Sequence, residues 1–449
     1  MYFKFPENFM FGAASSACQI ESACKEGGKG EDVHEHYFSL YPEKYLNDDP
    51  NEGADFYHKY PEDIKMMKEL GIKCFRFSIS WSRIYPNGPD EVCQAGLDYY
   101  ADLIDKLIEA GITPFFDLWH CDLPYWVIER NALLNPEFVD WFGAYAETCF
   151  RAFGDKVAYW STINEPNVNV MAAYAWGSTA PFMKDMKLAM QANHIAVLAH
   201  YRAVKIFREL GCKGKIGVVV HIQLTYAPSM DMKDQEAAER DMSFYSTWWT
   251  DSMLKGYYPK NLMDYPYIAD LLPEGWEKDL KENFIESDFL GINYYSSYIV
   301  GYAEDGKLDY EIVTGDKLPK DDYGFTINPQ GMYDTIMEMQ KRHPGLELII
   351  TENGIGRKRT GNYEEELDDD YRINYLREHL RAVARAVEAG APVTGYLHWS
   401  IMDTTELYGG GYSILFGLTQ VRFDKPDKQR IPRKSWYYYQ KIIAEKAVN

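Results

Sequence analysis

Apolar and β-branched residues gather into eight short runs along the chain, at 10–21, 74–81, 113–120, 158–166, 215–222, 288–297, 347–354 and 393–403. Between them lie stretches in which apolar residues return at steps of three and four, such as 61–71, 97–111 and 371–390. Each of these three ends in a glycine suited to closing a helix. Eight strands alternating with helices predict an α/β protein with a parallel sheet, and the count of eight predicts closure into a single (β/α)8 TIM barrel. No proline- or serine-rich linker, low-complexity block or shift in composition divides the chain, so residues 1–449 read as one domain.

Composition adds material and sign to that picture. A 449-residue chain that is 46% hydrophobic, with 36 Tyr, 22 Phe and 11 Trp, can fill a barrel core and still have rings left to line a cleft. Its 47 basic and 68 acidic residues give a formal net charge of −21, which repels phosphate backbones and anionic membrane surfaces. Nucleic acid and membranes are therefore poor partners. No apolar run approaches the roughly 20 residues of a membrane span, and the opening MYFKFPENFMFG lacks the succession of a secretory signal, so the expected location is the cytoplasm. The seven cysteines (Cys18, Cys24, Cys74, Cys93, Cys121, Cys149 and Cys212) follow no C-x-x-C or Cys/His ligand spacing. They read as reduced thiols, with no metal centre expected.

In a barrel of this kind, chemistry sits at the C-terminal ends of the strands. The polar residues finishing the runs are, in order, Gln19, Arg76, His120, Asn164 with Glu165, Asn293 with Tyr295, Glu352, and Trp399 with Glu406 a little beyond. Any one alone suits an ordinary loop, whereas the whole set is harder to explain that way. Two carboxylates follow β-type stretches directly, Glu165 in STINEP and Glu352 in IITENG. At the ends of buried strands they face partial desolvation, which is costly without pairing or hydrogen bonds. On residue type and spacing alone, a catalytic pair, a structural ion pair and plain loop glutamates all remain open.

The succession of TINEP and ITENG at these positions is accompanied by FPENFMFGAASSACQIES, ADFYHKYPEDIKMMKELGIKCFRFSISWSRIYP, HCDLPYW, DFLGINYYSS, GYLHWSIMDTTE and YSILFGLTQVRFDKPDKQRIPRKSWYYYQKII. Together they resemble glycoside hydrolase family 1, the β-glucosidase family, over essentially the whole chain. The resemblance implies a retaining β-glycosidase that acts on a small-molecule β-glycoside with no cofactor. Glu352 would form a covalent glycosyl-enzyme, while Glu165 protonates the leaving oxygen and then activates water. Retention needs the two carboxyl groups about 5–5.5 Å apart. By the same correspondence Arg76, Tyr295 and Asn293 would support the nucleophile. Gln19, His120, Asn164 and Glu406 would bind sugar hydroxyls, Asn164 taking the 2-hydroxyl, and Trp399 would lie under the ring.

Three departures from the family pattern fall in the sugar pocket. Cys121 follows His120 where HWD is usual, and Leu407 follows Glu406 where NFEW would place an indole donor. One extra residue enters LYGGGY just after it. DVHEH at 32–36 replaces SIWD, putting His34 at a usual Trp position. His34 reads as a solvent-facing loop residue, with an enlarged or more charged pocket as the alternative. A lost indole donor leaves a sugar hydroxyl unpaired, worth about 0.5–1.5 kcal/mol, so the three changes predict a wider and more polar pocket than a glucose-selective one. Glu406 and the lack of a lysine in YSILFG argue against a 6-phosphate substrate, and Glu165 argues against a thioglucosidase, which carries Gln there. The glycone stays open among glucoside, galactoside, fucoside and glucuronide. A non-hydrolytic carbohydrate-binding protein is the competing reading, against which the intact Glu352, Arg76 and Tyr295 stand.

Overall fold

The computed structural model describes residues 2–314, 318–407 and 410–449. Eight parallel strands close into a barrel: β1 (Met10–Ala14), β2 (Cys74–Ser78), β3 (Thr113–Trp119), β4 (Tyr159–Asn164), β5 (Lys215–His221), β6 (Phe289–Asn293), β7 (Glu347–Asn353) and β8 (Val393–Trp399). Each neighbours the next in chain order, and β8 pairs with β1, Tyr396 opposite Phe11 and His398 opposite Ala13. Every predicted run carries a barrel strand and overshoots its C-terminal end. The overshoot has a physical cause: the chain stays buried past the sheet, at Ser15, Ile79, His120, Tyr294 and Ser400, because the loops there pack over the barrel mouth.

Short helix α1 (Val33–Leu40) precedes the longer helices α2 (Phe56–Leu70), α3 (Gln94–Glu109), α4 (Phe138–Phe153), α5 (Met186–Glu209), α6 (Pro329–Arg342), α7 (Asp370–Glu388) and α8 (Lys434–Glu445). The glycines expected to end α2, α3 and α7 do so: Gly71, Gly111 and Gly390 take left-handed φ values of 91°, 76° and 94°.

Strand alternation sorts the core into two layers. On β2, Phe75 and Phe77 point outward, where Phe77 meets Phe56 of α2 with ring centroids 5.1 Å apart. Cys74 points inward and packs with Phe115, Val219, Phe289, Ile349 and Leu397 inside the barrel. Fully burying side chains of this size stabilises by about 1.5–3 kcal/mol each. One step further along β2, the inward position is Arg76, fully buried. The interior thus changes from apolar to charged toward the C-terminal ends of the strands. No helix among the described residues is long and apolar enough to cross a membrane, and no disulfide joins the seven cysteines.

Candidate active site

Arg76 organises the charged end of the barrel. Its Nη1 donates to Glu352 Oε1 at 2.6 Å, its Nη2 to Asn164 Oδ1 at 2.6 Å, and its Nε to Asp117 Oδ1 at 3.1 Å, with Asp117 Oδ2 2.7 Å from Nη2. The second oxygen of Glu352 accepts from the Tyr295 hydroxyl at 2.9 Å. Both oxygens of this β7 carboxylate are therefore held by donors before any ligand arrives.

Glu165 reaches the same cleft by a different device. It follows β4, where Asn164 already points inward, so continued alternation would send the next side chain outward. Instead Glu165 adopts a left-handed φ of 44°, a conformation costing a non-glycine residue about 1–2 kcal/mol. Its N–H is tied to the Val219 carbonyl at 2.8 Å, and its own carbonyl accepts from the N–H groups of Val168 and Asn169 at 3.0 Å each. Two successive side chains then face one cavity. Burial pushes the Glu165 carboxyl up to about 8, the Glu352 charge pushes the same way, and the hydrogen bond from Asn293 opposes them.

Asn293, expected beside the nucleophile, instead donates to Glu165 Oε1 at 2.8 Å and to Asn164 Oδ1 at 3.0 Å. Thr351 Oγ1 donates to the Asn293 Oδ1 at 2.7 Å, which fixes the amide with its NH2 toward β4 and away from Glu352. Asn164 Oδ1 is thus filled by Arg76 and Asn293, while its Nδ2 is buried with no partner in the structure. A buried donor left unpaired costs about 1–3 kcal/mol, so this group is primed for an incoming oxygen.

The remaining predicted residues converge on a cavity of about 670 Å³ lined by Gln19, His120, Glu165, Tyr295, Glu352, Trp399 and Glu406. His120 stacks on Trp399 with centroids 5.7 Å apart and planes 17° from parallel, and its Nδ1 sits 3.3 Å from Asp117 Oδ2. That contact leaves Nε2 for another partner. Gln19 is fixed by Ser16 Oγ, which donates to its Oε1 at 2.6 Å, and by its own Nε2, which donates to the Thr405 carbonyl at 2.8 Å. Glu406 accepts from Thr404 Oγ1 at 2.8 Å. Burial carries its carboxyl up to about 8, with the Glu352 charge adding to the rise against bonds from Thr404 and Trp399. Arg76, Asn164 and Asn293 lie buried just behind these groups.

Sequence reasoning missed two contributors. Asp117 ties Arg76 to His120, and its signal was visible: a lone acid inside the apolar run TPFFDLWH. The outer cleft is built by Trp176, Tyr245, Tyr323 and Phe325. Trp176 stacks on Tyr245 at 6.3 Å and 11°, each ring lying on a single π-helical stretch, Met171–Trp176 and Ser243–Thr247. No sequence periodicity announces such a turn.

The departures resolve unevenly. Cys121 lines the cleft. His34, expected to face solvent, is buried, with its Nε2 3.2 Å from the Cys121 carbonyl. Asp32 caps α1 by accepting from the N–H groups of His34 and Glu35, which turns the helix start, and His34 with it, into the protein. Burial lowers the basicity of His34, so it adds no positive charge near neutral pH. Leu407 borders a separate cavity beside the cleft. Of LYGGGY, where one extra residue is expected, Tyr408 and Gly409 lie outside the described residues. Among the described residues, no group of His, Cys, Asp and Glu is arranged to hold a metal ion.

Comparison with known proteins agrees with this geometry. The chain is 36% identical over 443 residues to beta-glucosidase A of Thermotoga maritima, covering 98% of each. It is 34% identical over 458 residues to a 6-phospho-beta-glucosidase of Bacillus subtilis, covering 98% of this chain and 97% of the relative. The solved T. maritima family 1 β-glucosidase in complex with isofagomine lactam superposes with a TM-score of 0.94 at 35% identity, covering both chains fully. The model of glycosyl hydrolase family 1 matches residues 1–448. On these grounds the chain is a glycoside hydrolase and belongs to glycosyl hydrolase family 1.

Proposed function

We propose that this enzyme hydrolyses neutral β-glycosides, β-glucosides first among them, with retention of configuration, Glu352 acting as nucleophile and Glu165 as acid/base. The observation that carries the reading is the asymmetry of two carboxyls on one cleft. One is clamped through both oxygens by Arg76 and Tyr295, and the other is pushed up to about 8. A carboxyl that keeps its proton at neutral pH can give it to a leaving oxygen, and a fully hydrogen-bonded carboxylate is oriented to attack C1. Once Glu352 is esterified its charge is gone, and with it the second-largest cause of the raised Glu165 value. Glu165 then becomes the stronger acid and is suited to take a proton from water. The unpaired Asn164 Nδ2 meets the 2-hydroxyl, His120, Gln19 and Glu406 meet the others, and Trp399 supports the ring.

The reading is tested by proton NMR during hydrolysis of an aryl β-glucoside. The first sugar released is expected to be the β-anomer, mutarotating later. The α-anomer as first product would overturn retention, and no release from any aryl β-glycoside would favour a binding protein. A second expectation concerns pH. Because Glu165 must hold a proton to act as acid, kcat/KM falls as pH rises through about 8, the value of that carboxyl in the free enzyme. A rate independent of pH from 6 to 10 would remove Glu165 from this role.

Residues 1–449 act as one catalytic domain in this reading, and its place is the cytoplasm. Seven cysteines with no disulfide among them suit a reducing compartment.

A further inference from the structure

Tyr323 reaches the cleft from the long excursion between β6 and β7, and one carboxylate fixes the turn that carries it. Asp321 Oδ1 accepts from the N–H groups of Tyr323, Gly324 and Phe325 at 3.0, 2.8 and 2.8 Å, and its Oδ2 accepts from the Gly356 N–H at 2.9 Å. The turn is thereby tied to the segment leaving β7, the strand that carries Glu352. Packing then fixes the ring. It meets Phe325 and Phe416 edge-on, with centroids 5.0 and 5.8 Å apart and planes at 71° and 83°. Two glycines make room for it: a methyl group at Gly356 would come within 3.0 Å of Tyr323 Cβ, and one at Gly410 within 3.1 Å of Tyr323 Cε2 and 2.7 Å of Glu406 Cβ. Gly410 thus stands where the hydroxyl end of Tyr323 meets Glu406.

At the end of this fixed ring the Tyr323 hydroxyl is buried and has no partner in the structure, the same condition as Asn164 Nδ2. Leaving such a group unpaired is unfavourable, and a ligand oxygen relieves it. Burial and the charges of Glu406, Asp321 and Glu165 hold the phenol well above its ordinary value, so it keeps its proton and is a donor. A sugar hydroxyl has one hydrogen to give and two lone pairs to fill. A hydroxyl that gives its hydrogen to the Glu406 carboxyl still needs a donor, and Leu407, next in the chain, has none.

We propose that Tyr323 is a specificity-determining residue of the sugar site, its Oη donating a hydrogen bond to the glycone hydroxyl that Glu406 binds. The proposal rests on the glycosidase reading above and adds to that site a donor drawn from the β6–β7 excursion.

The test measures kcat/KM of the unaltered enzyme and of Tyr323→Phe on p-nitrophenyl β-D-glucopyranoside and on its 3-, 4- and 6-deoxy analogues. The variant keeps the ring and its packing, and it is expected to lower kcat/KM on the parent glucoside by about five- to tenfold. A similar loss is expected on two of the analogues. On the third, which lacks the hydroxyl that Tyr323 meets, the two proteins should agree within about twofold. A general disturbance of the fold or of Glu165 would instead lower all four rates by one factor. An equal loss on all four substrates, or a rate on the parent glucoside that differs by less than about twofold between the proteins, would overturn the contact while leaving the glycosidase intact. If the unaltered enzyme releases p-nitrophenol from none of the four, the glycosidase reading fails. Kd values of the same compounds on both proteins, taken by calorimetry, then decide Tyr323 by the same comparison.

Discussion

Glu352→Ala is expected to lower kcat for p-nitrophenyl β-glucoside by roughly 10⁴-fold or more, in line with the loss of a covalent nucleophile in other enzymes. Binding should survive. Trp399, Gln19, His120 and Glu406 are held by contacts that do not pass through Glu352, such as the Ser16–Gln19 and Thr404–Glu406 bonds. The variant should thus bind a sugar-like inhibitor within about tenfold of the parent enzyme, measured by calorimetry beside the kinetics. Retained turnover would transfer the nucleophile's role to another group. Loss of binding together with turnover would show that the carboxylate holds the site together and leave its chemistry undemonstrated.

The second large effect is expected at Arg76. Arg76→Met removes the only cation in direct contact with Glu352 and Asp117 among the described residues, leaving two carboxylates buried at the barrel's end. Stranding a buried partner costs about 3–5 kcal/mol, so the midpoint of chemical unfolding should drop while the slope of the transition is unchanged. Activity should fall in parallel, since Glu352 loses one of its two clamps and Asn164 loses one of the two donors to its amide oxygen, keeping only Asn293. Arg76→Lys should recover part of the stability and little of the activity, because one ammonium cannot span three acceptors in a plane. Equal unfolding midpoints for Arg76→Met and the parent would show that the network contributes nothing net to the fold.

The barrel itself was legible because its grammar is local. Eight apolar runs, and helices stopped at Gly71, Gly111 and Gly390, state the element order without any knowledge of contacts. The polar strand ends were legible for the same reason, since a barrel turns order along the chain into position around a rim. What stayed hidden was set by side-chain direction. Asn293 and Glu352 are neighbours across the β6–β7 pairing, yet the Thr351 hydroxyl turns Asn293 toward Glu165. His34 looked like a loop residue because the cap formed by Asp32, which swings it inward, acts through backbone N–H groups that composition does not reveal. The outer cleft was hidden more completely, since Tyr323 and Phe325 come from a long excursion between β6 and β7 with no repeating pattern.

The left-handed backbone at Glu165 has a wider consequence. That backbone conformation is one glycine adopts freely and asparagine tolerates, and it holds instead a longer, buried acid. Glycine or asparagine there would relax the main chain and remove the desolvated carboxyl in one step. A melting temperature at or above the parent's is therefore expected for Glu165→Asn, alongside catalytic silence. Drift toward sturdiness at residue 165 would extinguish the enzyme, so selection for turnover is what keeps the chain in its less comfortable form there.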